Sequence, residues 1–195
     1  MNMEYIKNNY HFETLSGKHD LSNFQSDSID LTNFLKEDAL IQQEKKLNIT
    51  KLVICDNEII AYFSLLTDTL ILNNVREKKL KNDIKSTLHT TSRKRNIPAI
   101  KIGKLTVDRK YTGKGLGSHI LGNIMKNIAL IANNEVGLRF IIVESYARAY
   151  KFYVNKNSFK NLRKDDELIE KIDKIIKRDP ERTFYLYFDI LKLLK

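Results

Sequence analysis

The chain has 195 residues, with 34 Lys+Arg against 24 Asp+Glu, a formal net charge of +10, one Cys, two Pro and no Trp; 42% is hydrophobic and 30% charged, which suits one soluble domain, since about 100 to 200 residues make one. A lone Cys55 excludes a disulfide framework and a Cys-rich zinc site, both of which need several sulfurs at fixed spacing. The longest uncharged apolar run, Ile59 to Leu66, falls far short of the roughly 18 residues of a membrane span, and MNMEYIKNNY has no apolar signal core, so a soluble protein of a reducing cytoplasm is expected.

Leu31 to Leu47 repeats apolar residues at spacings near three and four (Leu31, Phe34, Leu35, Ala39, Leu40, Ile41), which predicts an amphipathic helix with Asp30 as its N-cap. Two apolar runs come next, Thr50 to Cys55 and Ile59 to Leu66. The Asp56-Asn57 pair between them suits a tight turn and predicts a β-hairpin. Ile71 to Arg95 is mixed and basic, and reads as a surface insertion or short helix. Ala99 to Val107 alternates apolar and polar side chains and predicts a strand, with Gly103 marking a bulge or a close backbone approach. A Gly-rich segment, Asp108 to Gly117, then opens a long apolar-periodic helix reaching about Asn133. Leu138 to Val143 reads as a buried strand and Tyr146 to Val154 as a short helix. Asp165 to Lys177 predicts an amphipathic helix with Leu168, Ile169, Ile172, Ile175 and Ile176 on its apolar side, and charges that suit the helix dipole. Pro180 ends it, and Arg182 to Phe188 forms a closing strand. The fold class expected is a mixed α/β single domain without internal repeats.

Charge is unevenly spread. Residues 1 to 50 carry net −3 and the remainder +13, with the densest stretch at Arg76 to Asn96, where eight basic side chains stand against two acidic ones. Such a stretch is the footprint expected for a polyanion or a solvated lysine-rich surface. Gly113, Gly115 and Gly117 stand where a strand becomes a helix, so backbone N–H groups and the helix dipole can meet a pyrophosphate. The GxxxxGK[ST] phosphate loop is absent, and His119 and Ser118 stand where a GxGxxG fingerprint would need its third glycine.

The run Leu105-Thr-Val-Asp-Arg-Lys-Tyr-Thr-Gly-Lys-Gly-Leu-Gly117, the helix and strand after it, and Ala149-Tyr-Lys-Phe-Tyr-Val-Asn-Lys-Asn-Ser-Phe159 together resemble the acetyl-CoA-binding core of the GNAT superfamily of N-acetyltransferases. The resemblance covers roughly residues 50 to 190. It implies a mostly antiparallel central sheet flanked by helices and splayed around the acetyl-CoA site. One domain, 1–195, is then expected, with a basic insertion at about 71–97 and an added helix at about 165–177. It implies acetyl-CoA as cofactor, with Leu105, Thr106 and Val107 pairing with the pantetheine arm and Thr112, Gly113, Lys114, Gly115, Leu116, Gly117 and Ser118 holding the pyrophosphate. The family pattern Gln/Arg-x-x-Gly-x-Gly/Ala puts Thr112 at the Gln/Arg position, a departure that leaves the backbone donors, with Lys110 and Lys114 nearby to offset it.

Phe152-Tyr153 occupies the place where the family often has a tyrosine near the cofactor sulfur, which implies Tyr153 as general acid to the departing thiolate; Tyr146 and Tyr150 are its neighbours. Glu144, His89 and His119 are candidates for a general base, and none is assigned. No metal site is expected. Phe24 to Ala39 resembles the start of the toxin-type GNAT branch, which acetylates the aminoacyl group of charged tRNA and pairs with a small DNA-binding antitoxin; the basic excess fits tRNA. A GNAT acting on a protein or small-molecule amine, and a non-catalytic nucleic-acid-binding module, are the competing readings. The sequence leaves a homodimer open.

Overall fold

The computed structural model describes residues 2–88, 96–162 and 170–193. Its elements are α1 (Met3–Asn9), β1 (His11–Thr14), α2 (Ile29–Asn33), α3 (Ala39–Glu44), β2 (Ile49–Cys55), β3 (Glu58–Ile71), α4 (Lys78–Thr87), β4 (Asn96–Val107), α5 (Leu116–Asn134), β5 (Phe140–Tyr146), α6 (Ala147–Lys151), β6 (Lys160–Asn161), α7 (Ile172–Arg178) and β7 (Thr183–Asp189). The strands form one seven-stranded sheet in the order β1-β2-β3-β4-β5-β7-β6. The pairs β1–β2, β2–β3, β5–β7 and β6–β7 are antiparallel.

Residues cluster into two compact units, Met1–Leu66 with Ile102–Ile124, and Thr67–Lys101 with Met125–Lys195. Each is discontinuous in sequence, because β3, β4 and α5 run through the boundaries.

In the first unit the β2–β3 hairpin turns on Asp56 and Asn57 at φ 48° and 62°. Both lie in the left-handed region that a two-residue hairpin turn requires and that Asp and Asn tolerate best after glycine. The helix expected from Leu31 differs from expectation in two ways. It starts at Ile29 after an extended Ser28, whose carbonyl accepts from Thr32 N–H at 3.1 Å, so Asp30 lies inside the first turn rather than capping it. A π-helical turn at Phe34–Asp38 separates α2 from α3. The wider turn shifts the phase of α3 relative to α2, since each residue advances an α-helix by about 100°. Phe34, Leu35 and Ala39 all reach the core, while Ile41, expected on the apolar side, is 52% exposed. The core of this unit gathers Leu15, Phe24, Phe34, Leu35, Leu52 and Tyr62, and the Tyr62 hydroxyl donates to Leu31 O at 2.6 Å.

In the second unit, β5 and β7 pair over their full lengths, from Phe140↔Asp189 to Tyr146↔Thr183. The basic stretch is more than a surface insertion. Leu80 and Ile84 of α4, one turn apart, are buried in the cluster that holds Leu70, Phe140, Ile142 and Tyr187, while Lys78 and Lys79 face solvent. This is the amphipathic solution to a helix with few apolar residues. The helix expected at 165–177 is described from Ile172 as α7, with Asp173 in its first turn and Lys177 and Arg178 in its last. Residues 165–169 of the expected helix, Leu168 and Ile169 among them, lie outside the described residues, as does His89.

Candidate active site

The end of β4 is bracketed by an N-terminal segment far from it in sequence. Asp108 is 1% exposed. Its carboxylate accepts from Gln25 N–H at 3.0 Å and from Lys110 N–H at 2.9 Å. Its own N–H donates to Ile60 O at 2.8 Å, and Arg109 N–H donates to Gln25 O at 2.8 Å. Ser26 and Thr106 share a hydroxyl hydrogen bond of 2.6 Å. A buried carboxylate is tolerated when donors converge on it, and here they hold Thr106 to Lys110 against residues 25 and 26. Gly103 has a steric reason: a Cβ there would lie 2.8 Å from Leu66 Cδ2 and 3.1 Å from Ser64 Oγ. The atoms nearest to it are the side chains of Leu66 and Ser64 on β3.

A 3₁₀ turn at Arg109–Tyr111 comes next. Glu58, at the start of β3, accepts from Lys110 Nζ and from the Tyr111 hydroxyl, each at 2.8 Å. The Lys110 bond outweighs burial and holds the Glu58 carboxyl below the usual range. Burial, then the Glu58 carboxylate, push the Tyr111 phenol well above its ordinary value, so it stays a donor. Gly113 and Gly115 then take φ of 74° and 77°, a region costly to residues with a Cβ. A Cβ on Gly113 would meet nothing within 4 Å, so conformation rather than crowding requires glycine there and the loop has an open side. Leu116, fully buried, anchors the start of α5. At the start of the helix, His119 N–H donates to Gly115 O at 3.3 Å, which places the N–H groups of Leu116 and Gly117 in the first turn, beside the loop. No acidic residue stands in that turn, and the positive end of the dipole of this 19-residue helix faces the loop.

Leu105, Thr106, Val107, Thr112, Gly113, Lys114, Gly115, Leu116, Gly117 and Ser118 are thus brought together in the first unit. The two lysines expected to offset Thr112 are engaged elsewhere: Lys110 with Glu58, and Lys114 Nζ with Lys110 O at 3.0 Å.

Tyr153 belongs to the second unit, on a π-helical turn, Phe152–Lys156, that continues α6. It is 8% exposed and meets Phe152 and Phe159 edge-on at 4.9 and 5.4 Å. Burial alone drives its pKa far above the ordinary tyrosine value, and among the described residues no side chain bonds its hydroxyl. Tyr150 differs: its hydroxyl accepts from Asn161 Nδ2 at 2.6 Å and its ring packs edge-on against Phe184. Tyr146 is half-buried under the Arg148 guanidinium. Of the three tyrosines, Tyr153 therefore combines burial with a protonated hydroxyl uncommitted to a neighbouring side chain.

Of the candidate bases, Glu144 and His119 are engaged. Burial works against ionisation of Glu144, but Lys101 Nζ at 3.0 Å, with Tyr185 and Thr183, holds its carboxyl below the usual range. His119 Nε2 lies 3.1 Å from Lys7 O. Residues whose roles the sequence did not disclose are Asp108, Glu58 and Lys7; only the position of Asp108 at the strand end was a local signal. Among the described residues no cluster of metal-ligating side chains occurs and no helix is long and apolar enough to cross a membrane.

An open, mostly antiparallel seven-stranded sheet with a positive-φ glycine loop between β4 and a long helix is the architecture of the GNAT N-acetyltransferase fold. More particularly, it is the fold of the AtaT structures. AtaT complexed with acetyl-methionyl-tRNAfMet matches with a TM-score of 0.74 at 16% identity, over 95% of this chain and 98% of that one. A tyrosine-to-phenylalanine mutant of AtaT, bound to the C-terminus of the antitoxin AtaR and acetyl-CoA, matches with a TM-score of 0.65 at 18% identity, over 95% and 96%. In sequence, the chain is 25% identical over 142 residues to a tRNA-acetylating toxin of Mycobacterium tuberculosis (strain ATCC 25618 / H37Rv), spanning 72% of this chain and 79% of that protein. No protein-family model matches.

Proposed function

We propose that the protein is an acetyl-CoA-dependent N-acetyltransferase that acetylates the amino group of an aminoacyl-tRNA, as the toxin of a toxin–antitoxin pair. The observation that carries this reading is the Asp108–Ser118 segment: a strand end fixed by a buried carboxylate, two positive-φ glycines of which Gly113 faces open space, and a helix N-terminus with no acidic residue in its first turn. That combination suits a pyrophosphate. Acetyl-CoA supplies the acetyl thioester. The chain's own residues bind and orient it, with Leu105 to Val107 along the pantetheine arm and Thr112 to Ser118 at the pyrophosphate. Tyr153 donates its proton to the departing sulfur, and burial keeps that proton in place at neutral pH.

The acceptor is read from the tRNA-acetylating relative, from AtaT in complex with acetylated methionyl-tRNA, and from the +13 carried beyond residue 50. A small antitoxin partner is inferred from AtaT bound to AtaR, and a cytoplasmic location from the acceptor. We take the 195 residues as one acetyltransferase domain, since neither compact unit is a continuous stretch of chain.

The test is transfer of radiolabelled acetyl from acetyl-CoA to a set of charged tRNAs, with deacylated tRNA and free amino acids as controls. Label on the aminoacyl group of charged tRNA alone is expected. Label on small or protein amines but not on tRNA would replace the acceptor. Absence of any upward thermal shift with CoA would replace the enzyme by a binding module.

A further inference from the structure

The N-terminal helix α1 brings a cation to the glycine loop. Ile6, fully buried, pins the helix. Two residues one turn apart on α5 hold its end: the His119 ring nitrogen Nε2 bonds Lys7 O at 3.1 Å, and Asn123 Nδ2 donates to the Tyr10 hydroxyl at 2.6 Å. The His119 and Tyr10 rings also meet edge-on at 5.7 Å. With its backbone fixed at this point, the half-buried Lys7 extends to the loop, where a Cβ built on Gly115 would lie 3.8 Å from its Nζ.

A cation beside a helix N-terminus is unfavourable on its own, because the dipole presents positive potential there. Lys110 relieves its charge on Glu58, whereas no carboxylate pairs with Lys7 among the described residues. An ammonium on a backbone fixed beside a helix N-terminus, without a paired carboxylate, is complemented by an anionic ligand. Thr112, at the position where the resemblance has Gln or Arg, is half-buried, and its hydroxyl donates to Arg109 O at 3.0 Å.

We propose that Lys7 is a ligand to the pyrophosphate of acetyl-CoA, supplying from the N-terminal helix the side-chain charge that Thr112 lacks. This rests on the acetyl-CoA reading above, and adds to it a residue more than a hundred positions distant from the loop. His119 acts as a positioning residue, holding the Lys7 backbone.

Calorimetric titration of the full chain with acetyl-CoA and with acetyl-dephospho-CoA, which lacks only the 3′-phosphate, tests it at low and high salt. Lys7→Ala should weaken both ligands about ten- to a hundredfold, the range of a lost charge-assisted bond. Lys7→Gln, which keeps the stem, should do the same, and Lys7→Arg should restore most of the affinity. The gap should narrow at high salt. Equal affinity of wild type and both neutral variants overturns the proposal, as does a penalty that vanishes with acetyl-dephospho-CoA, which would move Lys7 to the 3′-phosphate. Wild-type protein that binds neither ligand would instead overturn the acetyl-CoA reading, so the two failures are told apart.

Discussion

Tyr153→Phe and Tyr150→Phe should have opposite consequences, because the two hydroxyls have opposite surroundings. No described side chain bonds the Tyr153 hydroxyl and burial alone shifts its pKa, so its removal gives up no side-chain bond. The ring contacts with Phe152 and Phe159 remain, and the melting temperature should stay near wild type. Loss of a positioned proton donor costs about a hundred- to ten-thousandfold in rate, and a hundredfold corresponds to about 2.7 kcal/mol of transition-state stabilisation. Tyr150→Phe instead breaks the 2.6 Å bond from Asn161 Nδ2, worth about 0.5–1.5 kcal/mol. At about 2–4 °C per kcal/mol for a chain of this size, the melting temperature should drop by a few degrees, while turnover stays near normal. Single-turnover acetylation and thermal unfolding of both variants decide the matter. Because burial raises the Tyr153 pKa, the wild-type rate should show no alkaline limb from this residue below about pH 10, the unperturbed tyrosine value. Near-normal turnover in Tyr153→Phe, or an equal loss in Tyr150→Phe, would remove Tyr153 from the acid role.

Gly115→Asp should abolish acetyl-CoA binding by placing like charge at the pyrophosphate. Asp tolerates the φ of 77° at a cost of only about 1–2 kcal/mol, so circular dichroism should still report a folded chain; unchanged affinity would refute the loop assignment. Lys78→Glu with Lys79→Glu, both exposed on α4, should weaken tRNA binding and flatten its salt dependence in filter-binding assays. Unaltered binding would direct the acceptor to another basic surface. On the alkaline side, burial, then Glu77 and Asp189, push the Tyr187 phenol up to about 12, while Tyr111 and Tyr153 also lie above their ordinary value. The folded state holds these protons more tightly than the unfolded chain. Their contribution to stability is therefore complete below about pH 10 and is lost as pH rises through the folded-state values. Absorbance at 295 nm should rise together with loss of the circular dichroism signal; independent earlier ionisation of all tyrosines would refute the burial argument.

Periodicity and turn chemistry made much of this protein legible. The alternation up to Val107, the glycines after it and the apolar period of α5 are local signals, and β4, the loop and α5 lie where those signals put them. Asp56-Asn57 declared the hairpin because their left-handed conformation is a property of two adjacent residues. The family resemblance singles out Tyr153, but what distinguishes its surroundings from those of Tyr150 comes only with the fold, since the Asn161 bond to Tyr150 and the packing of Phe159 on Tyr153 depend on residues elsewhere in the chain. The π turn at Phe34–Asp38 shifted which side chains reach the core, because packing rather than propensity chose the helix phase. Other assignments rest on long-range pairing: Asp108 on Gln25, Lys110 on Glu58, His119 on Lys7. Such contacts leave no periodic trace, because each requires only that two distant segments meet. Tertiary structure thus committed the nearby Lys110 to Glu58 and brought Lys7, a distant lysine, to the glycine loop.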